Sequence, residues 1–236
     1  MARPPRLVIP GFPLHIVQRG NNRAVTFHCP EDFACYREAL FDASRRYECR
    51  IHVYALMSNH THLLITAEDV HGPSHMMQAV GRRFVQYVNV RYARTGTLWE
   101  GRFRSSVVDS ERYFFACSRY IELNPVRARM VDEPDAYGWS SYRHNALGVP
   151  DRLITPFALY EALGTRPADR EAAYRSLFDD PLSDKTLDTI RSATRTKGIV
   201  GDDDFRSKVE ERLQRSLTRP PRGGDRRSHT YRARKG

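Results

Sequence analysis

The chain lacks any long apolar run. Stretches such as "YALM" and "HLLI" fall far short of the ~20 residues that a membrane-spanning helix needs, so no helical span is expected. Its start, "MARPPRLVIPGF", is broken by proline and holds no apolar signal core. No secretory leader is expected there, and a cytoplasmic protein is. Cysteine is scarce: Cys29, Cys35, Cys49 and Cys117 are widely scattered. That spacing supports neither a disulfide framework nor a thiolate zinc site, and reduced thiols fit a reducing compartment. Lysine is nearly absent, since all but four of the 38 basic residues are arginine.

Acidic residues are missing locally, and these gaps are the most informative bulk property. The formal net charge is +10. Residues 1–30 hold four arginines and no acid, residues 78–104 six arginines and one acid, and residues 219–236 seven basic groups and one acid. Guanidinium forks suit phosphates and base edges. A polyanion, most simply nucleic acid, is the expected partner; a basic solvated surface without a partner is the plain alternative. With 236 residues, 40% hydrophobic and 28% charged, the chain is long enough for a well-packed domain and an appendage.

Local periodicity orders the elements. "FPLHIVQR" (12–19) alternates as a strand and runs into the polar turn "GNNR". "PEDFACYREALFDASRRY" (30–47) opens with proline and acids and carries Phe33, Tyr36, Leu40 and Phe41 at helical spacing. "IHVYALM" (51–57) and "HTHLLIT" (60–66) form a hairpin across "SN". A second helix is predicted from about Ser74 to Arg94, with Met77, Val80, Phe84, Val88 and Tyr92 along one stripe. "TLWEGRFRSSVVD" (97–109) reads as a strand and "SERYFFACSRYIELN" (110–124) as a third helix, N-capped by Asp109 or Ser110 and stopped by Pro125.

The order β-α-β-β-α-β followed by a helix predicts an α+β, ferredoxin-like fold: an antiparallel sheet with two helices on one face and the other face open. Residues 1–148 are the expected main domain. A helical C-terminal extension is expected over 149–218, with helices near 167–178, 183–196 and 203–217. The basic segment 219–236 has few apolar residues and is expected to be disordered.

In "MSNHTHLLI" (57–65), strand alternation projects His60 and His62 together and sends Thr61, Leu63 and Ile65 the other way. The second set suits the helix-packed core, so the histidines land on the open face, close enough to share one ion. Alone, the pair is also what a solvated strand face carries. "RYIELN" adds Tyr120 and Asn124, four residues apart on one helical face. An amide oxygen is a good hard ligand. A phenol with pKa ~10 becomes a nucleophile once a metal polarises the phosphate or a basic environment lowers that pKa. Tyr120 as a core aromatic beside Tyr113, Phe114 and Phe115 is the bland alternative, and Pro125 biases Asn124 away from helical dihedrals.

"NHTHLL", "LWEGRFRSS" and "RYIELNPVRARMV", in this order, resemble the single-tyrosine transposases of the HUH nuclease class. The closer resemblance is to the REP-associated tyrosine transposases. It covers roughly residues 10–145, and the closing "PRGGDRRS" also fits. The resemblance implies that His60 and His62 are paired ligands of Mg²⁺ or Mn²⁺, Asn124 the third ligand and Tyr120 the nucleophile. The implied reaction cleaves single-stranded DNA beside imperfect hairpins through a 5′-phosphotyrosine link, in a bacterial, nucleoid-associated enzyme. In that family the residue between the histidines is usually a bulky hydrophobe. Here it is Thr61, which predicts slightly poorer packing and intact ligation.

The resemblance also places Arg19, Asn21, Asn22 and Arg23 near the scissile phosphate. Trp99 and Phe103, with Arg102 and Arg104, make a mixture suited to stacking bases and holding phosphates; an aromatic strand core with arginines in solvent is its alternative. Arg127 and Arg129 are expected to hold the DNA backbone. The extra helices favour a monomer, with a dimer left open. A competing reading is a non-catalytic or domesticated protein that binds single strands or hairpins on its sheet. The joint presence of His60, His62, Tyr120 and Asn124 separates the two, because pure binding does not need it.

Overall fold

In the computed structural model, which describes residues 6–196, 198–214 and 216–217, alternating segments become strands and helically periodic ones helices. β1 (Leu14–Arg19) leads through a short 3-10 turn to α1 (Pro30–Arg46). β2 (Cys49–Met57) and β3 (His60–Ala67) form the hairpin, and α2 (Gly72–Arg91) returns to β4 (Arg104–Val108). Then come α3 (Ser110–Glu122), the one-turn α4 (Asn124–Arg127), α5 (Tyr142–Leu147), α6 (Ala158–Glu161), α7 (Pro167–Ser176) and α8 (Asp184–Thr196). The short β5 (Ile199–Val200) and α9 (Asp203–Leu213) complete the described elements.

The sheet order is β2-β3-β1-β4-β5. β1 to β4 pair antiparallel, and β5 adds a parallel edge beside β4. The α+β, ferredoxin-like expectation holds with that one addition. The strand expected over 97–109 shortens to β4, because residues 97–103 loop past the end of β1 and bridge it only at Gly20 and Trp99. Gly101 at φ +70 takes the chain out of the strand region there.

The helix-packed face is built from aromatics. Phe84 of α2 sits 5.0 Å from both Phe27 and Tyr36, and 5.9 Å from Trp99, between ring centroids. Asp32 docks the two helices. Its buried carboxylate accepts the backbone N–H of His28 at 2.7 Å and the hydroxyls of Tyr87 and Tyr92 at 3.0 and 2.8 Å. Thr61 points into this face, as strand alternation requires, and its hydroxyl finds a partner 3.4 Å away in the hydroxyl of Tyr36.

The opposite face is not open along its length, contrary to expectation. Phe114, Cys117 and Ile121 of α3 and Ile190 and Ala193 of α8 close over Val53, Ala55, Leu64 and Val108. Apolar strand residues on both faces demand cover on both, and the third helix and the extension supply it. A cleft remains where β1 ends and β3 begins. α5 to α8 belong to this core, and chain contacts divide the molecule into Met1–Val200 and Gly201–Gly236; the boundary expected near 148 falls inside the first unit. α9 lies in the second unit, and the basic segment 219–236 lies outside the described residues. Among the described residues no helix is long and apolar enough to cross a membrane.

Asp109 caps α3, its carboxylate accepting the N–H of Glu111 at 3.1 Å. At the other end, buried Glu122 accepts hydrogen bonds from Ser141 (2.5 Å), Asn145 (3.1 Å) and Tyr174 (2.7 Å). These partners come from the start of α5, from α5 and from α7, so one carboxyl fastens the third helix to two later ones. Burial pushes that carboxyl up to about 7 against its three donors. A raised folded pKa gives stability that is complete below the unfolded value of ~4.3 and is lost as pH rises through about 7. Relative to Glu122→Gln, the urea midpoint of the unaltered protein should therefore fall as pH rises from about 4.3 to about 7. Glu122→Gln should cost roughly 1 kcal/mol at the acid end of that range and flatten the fall; an equal slope in both proteins rules the assignment out.

Candidate active site

Register decides which side chains meet. Val17 pairs with His62 and Arg19 with His60. Alternation then puts His15, Val17, Arg19, His60 and His62 on the face covered by α3 and α8. Tyr120, near the end of α3, lies 5.9 Å from His62 and 6.0 Å from His15 between ring centroids, and His60 lies 5.0 Å from His62. His60, His62, Tyr120, Asn124, Arg19 and Arg104 are brought together around a cavity of about 390 Å³.

Asn124 keeps its helical alignment with Tyr120 despite Pro125. The helix breaks at Leu123 and restarts as α4 with the proline in its first turn, where a missing N–H costs nothing. The Asn124 amide nitrogen donates to the Tyr120 carbonyl at 2.9 Å, which leaves the amide oxygen as the atom that could hold a cation. Arg127 turns back on the same residue. Its guanidinium lies 4.6 Å from the centre of the Tyr120 ring and donates to the Tyr120 carbonyl. The arginine expected to hold the DNA backbone thus packs on the tyrosine.

His62 is 4% exposed and His15 fully buried. Burial pushes His15 down to about 3 and, with Arg19 adding to it, His60 down to about 4. Burial first, then the neighbouring His60 and His15, holds His62 well below its ordinary value. All three are neutral at neutral pH, the state in which imidazole binds metal. The tautomer of His60 is readable. Asn59 donates its amide N–H to the Arg23 carbonyl at 2.9 Å and so turns its oxygen toward His60 Nδ1, 2.7 Å away. His60 therefore carries its proton on Nδ1 and leaves Nε2 bare. Two neutral imidazoles with an amide oxygen and a phenol beside them fit a divalent ion of the Mn²⁺ or Mg²⁺ kind. Among the described residues no group of three His, Cys, Asp or Glu could hold a metal, so the oxygens would come from Asn124, substrate and water.

The other sequence candidates divide. Arg19 and Arg104 line the cavity, and Arg102 stands on its rim. Asn21, Asn22 and Arg23 are exposed in the 3-10 turn, outside the cavity lining, with Asn22 and Arg23 at φ 51 and 58. Gly20 is forced there, since a Cβ would lie 2.4 Å from the Ala24 carbonyl oxygen. Trp99 and Phe103 are buried and offer no exposed stacking platform. Trp99 packs on Phe84, and Phe103 lies under the Arg6 guanidinium, 3.7 Å from its ring centre. The loop 97–103 folds back on α2, which is the aromatic-core alternative with Arg102 and Arg104 in solvent. Arg129 is exposed and outside the cavity lining.

Several polar residues of the site were not singled out by sequence: Glu100, Arg191, Thr194 and Arg195 line the cavity, and His15 and Asn59 stand behind the imidazoles. Only His15 left a signal, a histidine inside an apolar strand at the same parity as Arg19.

Residues 10–124 match the family model described as "Transposase IS200 like". That segment belongs to the IS200-like transposases. It contains both paired histidines, Tyr120 and Asn124; the helices from α5 onward lie beyond it. A solved structure of a REP-associated tyrosine transposase bound to a REP hairpin aligns over 67% of this chain and 96% of its own, with a TM-score of 0.54 and 17% identity. That likeness shows a shared fold. A putative transposase from Deinococcus radiodurans aligns over 52% of this chain and 96% of its own, with a TM-score of 0.37 and 19% identity. No curated protein matches the chain in sequence.

The depressed histidines of the IS200-like segment make its acid stability predictable. Their folded values lie below the unfolded ~6.5, so their stabilising contribution is present above that pH and lost as pH falls toward about 4 and then about 3. Urea midpoints should drop between about pH 6.5 and pH 4, and His15→Leu should remove part of that drop. An acid limb identical in the two proteins would show that His15 is not buried in the neutral form.

Proposed function

We propose that the protein is a DNA strand transferase that cuts and rejoins single strands at imperfect hairpins, with Tyr120 as nucleophile and His60, His62 and Asn124 as ligands of Mn²⁺ or Mg²⁺. The observation that carries this reading is the meeting of a phenol with two neutral imidazoles, His62 buried and His60 half-buried, in an arginine-rimmed cavity of an IS200-like segment. The Tyr120 hydroxyl oxygen attacks a backbone phosphorus. An Oη–P bond forms and the P–O3′ bond breaks; the phenolic proton leaves to water, and the departing 3′-oxygen takes one up. The products are a 5′-phosphotyrosine and a 3′-hydroxyl. Attack by a 3′-hydroxyl on the phosphotyrosine reverses the exchange and joins strands without ATP, because the link retains the energy of the phosphodiester.

A bound divalent ion would neutralise the non-bridging phosphate oxygens. Arg19 and Arg104 line the same cavity and would hold the flanking phosphates. Arg127 and Asn124 fix the end of the helix that presents the nucleophile. The hairpin as substrate, and membership of the REP-associated group, are supported by the shared fold with a transposase solved on a REP hairpin. Glu122 ties the tyrosine helix to α5 and α7 of its own chain, which favours a monomer whose tyrosine serves its own cleft. The setting proposed is the bacterial cytoplasm, at the nucleoid.

Incubation with labelled, hairpin-bearing single strands and Mn²⁺ should yield a protein–DNA adduct that survives denaturing electrophoresis. Tyr120→Phe should abolish the adduct, and His60→Ala or His62→Ala should reduce it on the order of 100-fold. An adduct formed by Tyr120→Phe, or none formed by the unaltered protein on any hairpin tried, sinks the reading.

A further inference from the structure

His62 ends a chain of polar side chains that runs across three elements. Its Nδ1 lies 2.9 Å from Nε2 of His15. His15 Nδ1 lies 3.3 Å from the Thr194 hydroxyl, and that hydroxyl lies 2.9 Å from the carbonyl oxygen of Ile190, one turn earlier in α8, to which it donates. The two imidazoles are stacked, 5.2 Å apart and tilted by 14°. Ser106, opposite His15 in the β1–β4 ladder, makes no bond to it.

A neutral imidazole has one N–H and one bare nitrogen, and a hydroxyl has one proton. The chain therefore has two self-consistent directions. In the first, Thr194 donates to Ile190 and accepts from Nδ1–H of His15, whose bare Nε2 accepts from Nδ1–H of His62; Nε2 of His62 is then free. In the second, Thr194 donates to His15, His15 donates to His62, and His62 carries its proton on Nε2, where it cannot take a cation. The shorter contact to Ile190, 2.9 against 3.3 Å, selects the first. Resting on the metal reading above, we infer that Thr194 is a positioning residue which, through His15, sets the tautomer of His62 and leaves its Nε2 free for the metal. Asn59 does the same for His60, so both imidazoles present the same nitrogen.

Imidazole ¹⁵N shifts of the metal-free, full-length protein read these tautomers directly. Nδ1–H is expected on both His15 and His62. In Thr194→Val, His15 Nδ1–H loses its acceptor and both protons should move to Nε2, while Thr194→Ser should restore them. Mn²⁺ affinity, followed by electron paramagnetic resonance, should fall about 10- to 100-fold in Thr194→Val and recover in Thr194→Ser. Nε2–H on His62 of the unaltered protein, or unchanged tautomers in Thr194→Val, overturns the inference. If the tautomers are as stated but His60→Ala leaves Mn²⁺ affinity unchanged, the metal reading falls and the tautomer chain stands.

A second cleft carries an independent inference. It measures about 640 Å³, lies between α2 and the loop 97–103, and shares Arg102 with the rim of the Tyr120 cavity. Its walls are largely apolar, yet two buried polar atoms among its lining residues have no partner among the described residues: the indole N–H of Trp99, a donor, and Oε1 of Gln18, an acceptor. Gly81, inside α2, would place a Cβ 4.0 Å from Trp99 Nε1. Glycine leaves no side chain against that N–H, although it disfavours a helix interior. Arg82 and Arg102 also line the cleft and are exposed.

A donor and an acceptor among apolar walls match the hydrogen-bonding edge and the face of a nucleobase, and the guanidinium groups match its phosphate. Resting on the single-strand reading, the geometry points to this cleft as the seat of one unstacked base of the bound strand. The two tryptophans, Trp99 and Trp139, give separate indole signals in a ¹H–¹⁵N spectrum. Millimolar deoxyadenosine or thymidine 5′-monophosphate should shift the Trp99 signal saturably, whereas inorganic phosphate should not. Gly81→Ala should weaken that binding about ten-fold, the equivalent of one lost hydrogen bond, without lowering the unfolding midpoint. A Trp99 signal that neither nucleotide moves, or that phosphate alone moves equally, overturns the inference. Mononucleotides are not cleaved, so this outcome is separate from any failure of Tyr120 chemistry.

Discussion

The antiparallel register of β1 against β3 is the constraint on which the rest depends. Pairing Val17 with His62 and Arg19 with His60 gathers three histidines and an arginine on one face. A slip by one residue would turn Gln18 and Thr61 to that face and bury the imidazoles among the aromatics under α1 and α2. The register is pinned from several sides. Leu14, Ile16, Leu63 and Ile65 are all buried on the helix-packed face. At the strand ends the Gly20 N–H donates to the Asn59 carbonyl at 2.8 Å, and Gly20 admits no side chain. Asn59 thus belongs both to the turn that sets the register and to the hydrogen bond that orients His60.

The second layer gives this ladder its chemistry. Without α3 and α8 over it, the face would be a wet sheet with titrating histidines. Their cover drives His15 and His62 out of water and keeps them neutral. The same burial acts with opposite sign on Glu122, which it pushes up to about 7. Acid thus charges the buried histidines while base charges the buried carboxyl, and the fold is best satisfied in between. The two groups also lie on the two sides of the tyrosine helix: one meets Tyr120 edge-on, the other ties the helix end to α5 and α7.

Much of this site was legible because its signals are local. Period-two alternation told which way His60, Thr61 and His62 point, and an i, i+4 spacing linked Tyr120 to Asn124 even across a proline. What was not legible lay in partners distant along the chain. His15 meets His62 only through strand pairing, and Thr194 reaches His15 from α8 across 179 positions. Trp99 and Phe103 look like exposed stacking residues in a strand, but Gly101 breaks that strand and the loop folds them inward. That the Arg127 guanidinium packs on the ring of Tyr120 is likewise decided only by the break and restart of the helix between them.

By itself, then, the sequence determined the order of elements, the face of each strand residue and the basic character of the surface, all set by spacing along the chain and by composition. Tertiary structure alone decided that the second sheet face would be covered, that α5 to α8 would join the core, and which nitrogen each histidine leaves bare. The physical reason is that burial and hydrogen-bond direction belong to groups meeting across the fold. A proton on His62 is placed by a carbonyl at Ile190, and no local pattern records that contact.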